Sequence, residues 1–120
     1  MNELVYPEIK PGLHLVSLPV GCLSDISFRA LHMLSNSDYV AGEDTRNVKA
    51  LFKLLKISKS IKSIISYHDN SSSYTRGKII ELVKQGKSVA LVSDAGTPLI
   101  SDPGYRLVKT AIEEGLEVFS

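Results

Sequence analysis

The run Ser88-Val89-Ala90-Leu91-Val92 is short, β-rich and apolar at odd and even positions alike, the pattern of a strand covered on both faces of a parallel sheet rather than on one. A chain built around such a strand must supply helices to both sides of it. The run stops at Ser93, and a polar stretch punctuated by Gly96 and Pro98 carries the chain to Asp102. Connections of this kind usually take about two to six residues, and longer ones tend to be functional. Asp, Gly and Pro are also the ordinary material of a strand-to-helix turn. In open α/β sheets, however, ligands sit outside the carboxyl ends of the strands, so a long loop headed by the Asp94 carboxylate is the first place to expect a site.

The rest of the chain supplies what that strand requires. Residues 1 to 11, with Pro7 and Pro11, read as an extended arm. Gly12 to Leu18 reads as a first strand, and Pro19 to Leu23 as a loop at its carboxyl end. Asp25 is the expected cap of a helix in which Ile26, Ala30, Leu31 and Leu34 recur at helical spacing. Asp38 to Gly42 is a second strand. It runs into Glu43-Asp44-Thr45-Arg46, where Asp44 or Thr45 can cap a helix with Val48, Leu51, Phe52 and Leu55 on one face and Lys49, Lys53 and Lys56 on another. Ile61 to Tyr67 is a third strand with His68 at its tip, and the following helix, through Ile79, Ile80, Leu82 and Val83, closes near Gly86. Beyond the long loop, Asp102 caps and Pro103 opens a helix whose buried face is Leu107, Val108, Ala111 and Ile112. Gly115 ends it, and Leu116 to Phe119 starts a fifth strand. The expected fold is α/β: a five-stranded, mainly parallel sheet with helices on both faces.

Composition limits the function classes. With 120 residues, 43% hydrophobic and 22% charged, the chain has the make-up of one globular domain. It contains no apolar run approaching the roughly 20 residues that cross a bilayer and no signal-like start, so no membrane partner is expected and a cytoplasmic location is. The single cysteine, Cys22, and three scattered histidines suggest no metal centre. The net charge of +1 is uninformative, but from Thr45 to His68 there is no acidic residue, while Arg46, Lys49, Lys53, Lys56, Lys59 and Lys62 fall inside the window. That window is either a solvated helix face or a surface for an anionic partner. No Walker-type glycine-lysine loop is present. Gly21 stands alone where a dinucleotide-binding fold has three glycines, although Glu43 or Asp44 lies about where a ribose-binding carboxylate would. At strand ends, Glu43, Asp44 and His68 are the groups that could accept a proton from a hydroxyl, and Arg46 could hold a phosphate. The same four-residue cluster would also serve as a helix cap with a local ion pair. Cys22, His14 and His32 read as structural.

Taken together, Leu18-Pro19-Val20-Gly21-Cys22-Leu23-Ser24-Asp25-Ile26, Glu43-Asp44-Thr45-Arg46, and the ungapped stretch Val92 to Gly104 resemble the N-terminal half of the rRNA-modifying members of the tetrapyrrole methylase family. The family pattern at the first motif is Thr-Pro-Ile-Gly-Asn, from which Leu18 and Cys22 depart. The resemblance implies an N-terminal α/β domain, residues 1 to 120, of a two-domain enzyme, with a cofactor cleft between the domains. It implies S-adenosyl-L-methionine as cofactor, with Asp94, Gly96, Thr97, Leu99, Ile100, Pro19 and Gly21 around it. It further implies methyl transfer to the 2′-hydroxyl of a cytidine in small-subunit ribosomal RNA and a homodimer; for that chemistry Glu43, Asp44 and His68 are the catalytic candidates to take the hydroxyl proton and Arg46 to hold a phosphate, with no metal expected. A precorrin-type tetrapyrrole methylase and a non-catalytic binding domain on the same fold are the alternatives.

Overall fold

The computed structural model describes residues 8–18, 26–43, 45–58, 63–68, 72–94 and 102–120. Five strands, β1 (Gly12–Leu18), β2 (Tyr39–Gly42), β3 (Ile64–Ser66), β4 (Ser88–Asp94) and β5 (Val118–Phe119), alternate with four helices, α1 (Phe28–Asn36), α2 (Thr45–Leu54), α3 (Ser72–Lys84) and α4 (Asp102–Glu113). The strands form one sheet in the order β3-β2-β4-β1-β5, and every pairing is parallel.

Alternation along the strands divides the core in two. Leu13, Ala41, Ile65, Val89 and Leu91 join Ile79, Ile80 and Val83 of α3 and Leu107 and Ala111 of α4 on one face. Val16, Leu18, Val40 and Ala90 join Ala30, Met33 and Leu34 of α1 and Val48, Leu51 and Phe52 of α2 on the other. The chain crosses the sheet in one direction from β1 through β2 to β3 and returns through β4 to β5. Right-handed crossovers therefore send the first two helices to one face and the last two to the opposite one. Val89 and Ala90 are fully buried, as their run of apolar residues on both parities requires.

Three helices end alike. The Lys87 N–H donates to the Leu82 carbonyl with Gly86 at φ 89°, the Leu116 N–H to Ala111 with Gly115 at φ 74°, and the Ile57 N–H to Phe52 with Lys56 at φ 56°. Each satisfies a terminal carbonyl by the same left-handed reversal, and only α2 does it without glycine. At the opposite edge of the sheet, Asp38 and Ser88 close the amino ends of β2 and β4. The Asp38 N–H donates to Ser88 Oγ at 2.9 Å, and the Ser88 N–H and hydroxyl donate to Asp38 Oδ2 at 2.9 and 3.1 Å.

Some expected boundaries move. The cap of α1 is Ser27, whose side chain accepts from the Ala30 N–H at 3.0 Å. The helix thus starts at Phe28, leaving Ile26 before it, and Asp25 lies outside the described residues. Thr45 is the first residue of α2 rather than its cap, and Asp44 is outside the described residues. Of the expected strand Ile61 to Tyr67, residues 61 and 62 lie outside the described residues, β3 is Ile64–Ser66, and the Tyr67 N–H continues the ladder to the Gly42 carbonyl at 2.9 Å. Ile112, expected in the core, is 62% exposed. The buried stripe of α4 runs through Gly104, Leu107 and Ala111, and Ile112 lies past its edge.

Candidate active site

In a sheet with every strand parallel, all carboxyl ends emerge on one edge. β4 lies between β1 and β2, with Asp94 in register with Leu18 and Leu91 with Ala41. From that edge the chain leaves β1 and β2 toward the α1/α2 face and leaves β4 toward the α3/α4 face. A strand whose two neighbours depart to the opposite side opens a crevice at its carboxyl end, and Asp94 ends β4 there.

The expected proton acceptors and cofactor residues reach this edge wherever they are described. Asp94 is the last residue of β4. Glu43 directly follows β2 and is exposed, and His68, two residues past β3, is half-buried. Strands lie about 4.8 Å apart, so the ends carrying Glu43 and Asp94 are neighbours, while the end carrying His68 is two strands, about 10 Å, from β4. Arg46 is the second residue of α2 and exposed. Asp44, Pro19, Gly21, Gly96, Thr97, Leu99 and Ile100 lie outside the described residues. Gly42 sets the spacing between the two nearest ends: an added Cβ there would stand 2.8 Å from Cγ2 of Val92, so only glycine lets β2 approach β4 this closely just before Glu43.

Lys49, Lys53 and Lys56 are all exposed, so the basic stripe of α2 is open to a partner on the α1/α2 face. His14 is structural. It is buried in β1, its ring stacks on Phe119 at 4.5 Å, and Nε2 donates to the Lys10 carbonyl at 2.8 Å. Burial lowers its pKa below 6.5, the hydrogen bond to Lys10 opposes that shift, and the Arg29 charge adds to it. His32 receives a bond from Asn36 one turn on. Among the described residues no three His, Cys, Asp or Glu side chains are grouped as a metal site would require, and no helix is long and apolar enough to cross a membrane.

The helix starts carry a feature that hydrophobic periodicity does not bring out. The four arginines of the chain, Arg29, Arg46, Arg76 and Arg106, each fall within the first five residues of a helix, and Phe28, Tyr74 and Tyr105 stand exposed beside three of them. The signal was present in the sequence. It becomes visible only once the helix starts are known to share one edge.

The model of the family described as Tetrapyrrole (Corrin/Porphyrin) Methylases matches residues 12–119, which is β1 through β5. The chain belongs to the tetrapyrrole methylase family. A protein of Mesorhizobium japonicum named "Ribosomal RNA small subunit methyltransferase I" is 46% identical over 117 residues, covering 98% of this chain and 39% of that protein. A protein of the same name from Halalkalibacterium halodurans is 43% identical over 109 residues, 91% of this chain and 37% of its own length. The crystal structure of diphthine synthase shares the fold with a TM-score of 0.65 at 18% identity, covering 89% of this chain and 42% of that one. The chain spans about two fifths of the length of these proteins. The tetrapyrrole methylase match takes in all three loop motifs, and the structure brings the described residues of the second and third to one edge.

Proposed function

We propose that this chain forms one wall of an S-adenosylmethionine-dependent methyltransferase site whose substrate is small-subunit ribosomal RNA and whose acceptor is the 2′-hydroxyl of a cytidine. A second domain closes the cleft, and the working protein is a cytoplasmic homodimer. The observation that carries this reading is the placement of Asp94 at the end of the central strand, one strand from Glu43. The names of the relatives, with 46% and 43% identity across nearly the whole chain, indicate RNA as the substrate.

The described residues suit the cofactor's charges. S-adenosylmethionine carries a sulfonium and an ammonium beside its one carboxylate, and two acidic residues, Asp94 and Glu43, end adjacent strands, while the exposed Lys49, Lys53 and Lys56 suit an anionic partner. When bound, the cofactor supplies an electrophilic methyl group. The chain's own residues then have three tasks. Asp94 and the loop from 95 to 101 hold the cofactor, and Pro19 and Gly21 line it from β1. The stripe on α2, with Arg46 at its head, holds the RNA backbone. A strand-end group, Glu43, Asp44 or His68, receives the proton of the 2′-hydroxyl as its oxygen bonds to the methyl carbon and the sulfur–carbon bond breaks. Holding the two reactants in line supplies much of the rate.

Transfer of tritiated methyl groups to small ribosomal subunits, with the label located after ribonuclease and alkaline digestion, tests the reading. Methylated ribose survives alkali, so label in an alkali-resistant dinucleotide containing cytidine is the expected result. Label on a base, or on a tetrapyrrole and not on RNA, would replace this reading with the corresponding alternative. No transfer to any acceptor by a cofactor-binding protein would favour a binding domain.

A further inference from the structure

We infer that the starts of α3 and α4 form a rim that grips a single-stranded stretch of RNA, Tyr74 and Tyr105 stacking on bases while the exposed Arg106 meets a phosphate and the half-buried Arg76 lends its charge from behind the rim. The inference rests on the RNA substrate proposed above and assigns it a second surface, across the sheet from the lysines of α2.

Helix stability does not account for these residues. A helix N-terminus carries partial positive charge, which disfavours cations and favours acids in the first turn. Arg29 and Arg46 fall there, while Arg76 and Arg106, each the fifth residue of its helix, lie just past it. Yet the first turns of α1, α2 and α3 hold no acid, and every arginine in the chain sits near a helix start. Asp102, the first residue of α4, is the acid at a described helix start, and Glu43 and Asp94 lie inward of the rim at strand ends. Arg29 has a local use, since Nη1 donates to the Leu15 carbonyl at 3.1 Å and ties α1 to β1. Arg76 makes no such tie among the described residues: its Nη1 is buried without a hydrogen-bond partner, although a buried charged donor left unpaired is costly. Arg76 is half-buried, one turn before Ile79 and Ile80 on the core side of α3.

The aromatic residues complete the pattern. Tyr74 is 83% exposed and Tyr105 59%, and both stand within one turn of these arginines. α3 and α4 start from the same edge and pack on the same face of the sheet, with Lys84 and Glu114 3.1 Å apart at their far ends. Beside Tyr74 an open groove of about 530 Å³ runs along α3 past Gly77, Lys78 and Glu81. Gly77 helps to open it. It is a mid-helix glycine, a destabilising choice, and nothing lies within 4 Å of where its Cβ would be, so close packing does not require it. Exposed aromatic rings beside arginines are what single strands bind, because unpaired bases offer π-faces and the backbone offers phosphates. A duplex offers the rings nothing.

The test is binding of a short fluorescent oligoribonucleotide, single-stranded or annealed to its complement, followed by anisotropy across a salt series. Replacing Tyr74 and Tyr105 together by Leu should weaken single-strand binding about fivefold to a hundredfold per stacked base without changing duplex binding or the melting temperature. Replacing Arg76 and Arg106 by Gln should flatten the log–log salt slope by about 0.7 per lost contact. Arg106→Gln alone, at an exposed site, gives the same readout if the Arg76 change perturbs folding. The chain has no tryptophan, so quenching of tyrosine emission in the wild type and its loss in the tyrosine variant reports stacking directly. Wild-type affinity and slope in the rim variants, with binding lost when Lys49, Lys53 and Lys56 become Gln, would overturn the rim and leave the RNA reading standing. No RNA binding by the wild-type protein would overturn both.

Discussion

Gly42 and Val92 meet across β2 and β4 so closely that a Cβ on the glycine would stand 2.8 Å from Cγ2 of the valine. One residue further along β2 is Glu43, and two further along β4 is Asp94. Gly42→Ala must push the two strand ends apart or distort β2, so it should destabilise the fold by about 1 to 3 kcal/mol and lower methyl transfer by more than the loss of folded protein explains. Thermal melts together with single-turnover rates separate the two effects. A rate that fell only in proportion to the folded fraction would detach Glu43 from the chemistry.

The amino ends of the same strands are fixed by Asp38 and Ser88, fifty positions apart in sequence. Ser88→Ala removes the hydroxyl that both accepts from the Asp38 N–H and donates to its carboxylate, breaking two part-buried hydrogen bonds. A loss of about 1 to 3 kcal/mol is expected, measurable as a lower urea midpoint with an unchanged slope. The register of β2 against β4 is what this pair secures, so the loss should exceed that from the exposed Lys84–Glu114 pair, which is worth at most about 1 kcal/mol.

Much of this architecture was legible because it depends on local patterns. Val89, Ala90 and Leu91 announced a strand covered on both faces, and Gly86 and Gly115 marked two helix ends by the left-handed backbone they adopt. Strand order was not legible, since the direction in which a crossover travels leaves no local trace. Asp25 and Ser27 are both good caps, and only the reach of the Ser27 hydroxyl to Ala30 decides between them. Glu43, Asp94 and His68 could be placed at strand ends from sequence. That the arginines ring the same edge could not, because each is an unremarkable residue until its helix start has a position in the sheet.

Lys56 occupies the left-handed position that glycine fills at the ends of α3 and α4. Relief of that strain predicts that Lys56→Gly stabilises the fold by about 1 kcal/mol. The same change removes one cation from the α2 stripe, so RNA binding should lose about 0.7 to 0.9 from its salt slope. Higher stability with weaker binding is the expected combination. Higher stability with unchanged binding would reduce the stripe to a solvated face.

His14 gives the fold an acid limit. Its pKa is lowered in the folded state by burial, with Arg29 adding to the effect against the Lys10 hydrogen bond, so below about pH 6.5 the unfolded chain binds the proton first. Its contribution is therefore fully present above pH 6.5 and is lost as pH falls below that value toward the lower folded pKa. His14→Gln should flatten the melting temperature against pH across that window. Equal slopes in the two proteins would assign the acid sensitivity to other groups.

The central claim is that the carboxyl end of β4 holds the cofactor, and calorimetric titration of S-adenosylmethionine into the full-length protein, with the second domain proposed above to close the cleft, as wild type and as Asp94→Ala, tests it most directly. Loss of a charge-assisted hydrogen bond is worth roughly 1.5 to 3 kcal/mol, so the account predicts a dissociation constant about ten- to a hundredfold weaker in the variant, with an unchanged melting temperature in the absence of cofactor. An identical dissociation constant in the two proteins would contradict it and leave Asp94 as a turn residue at the end of a buried strand.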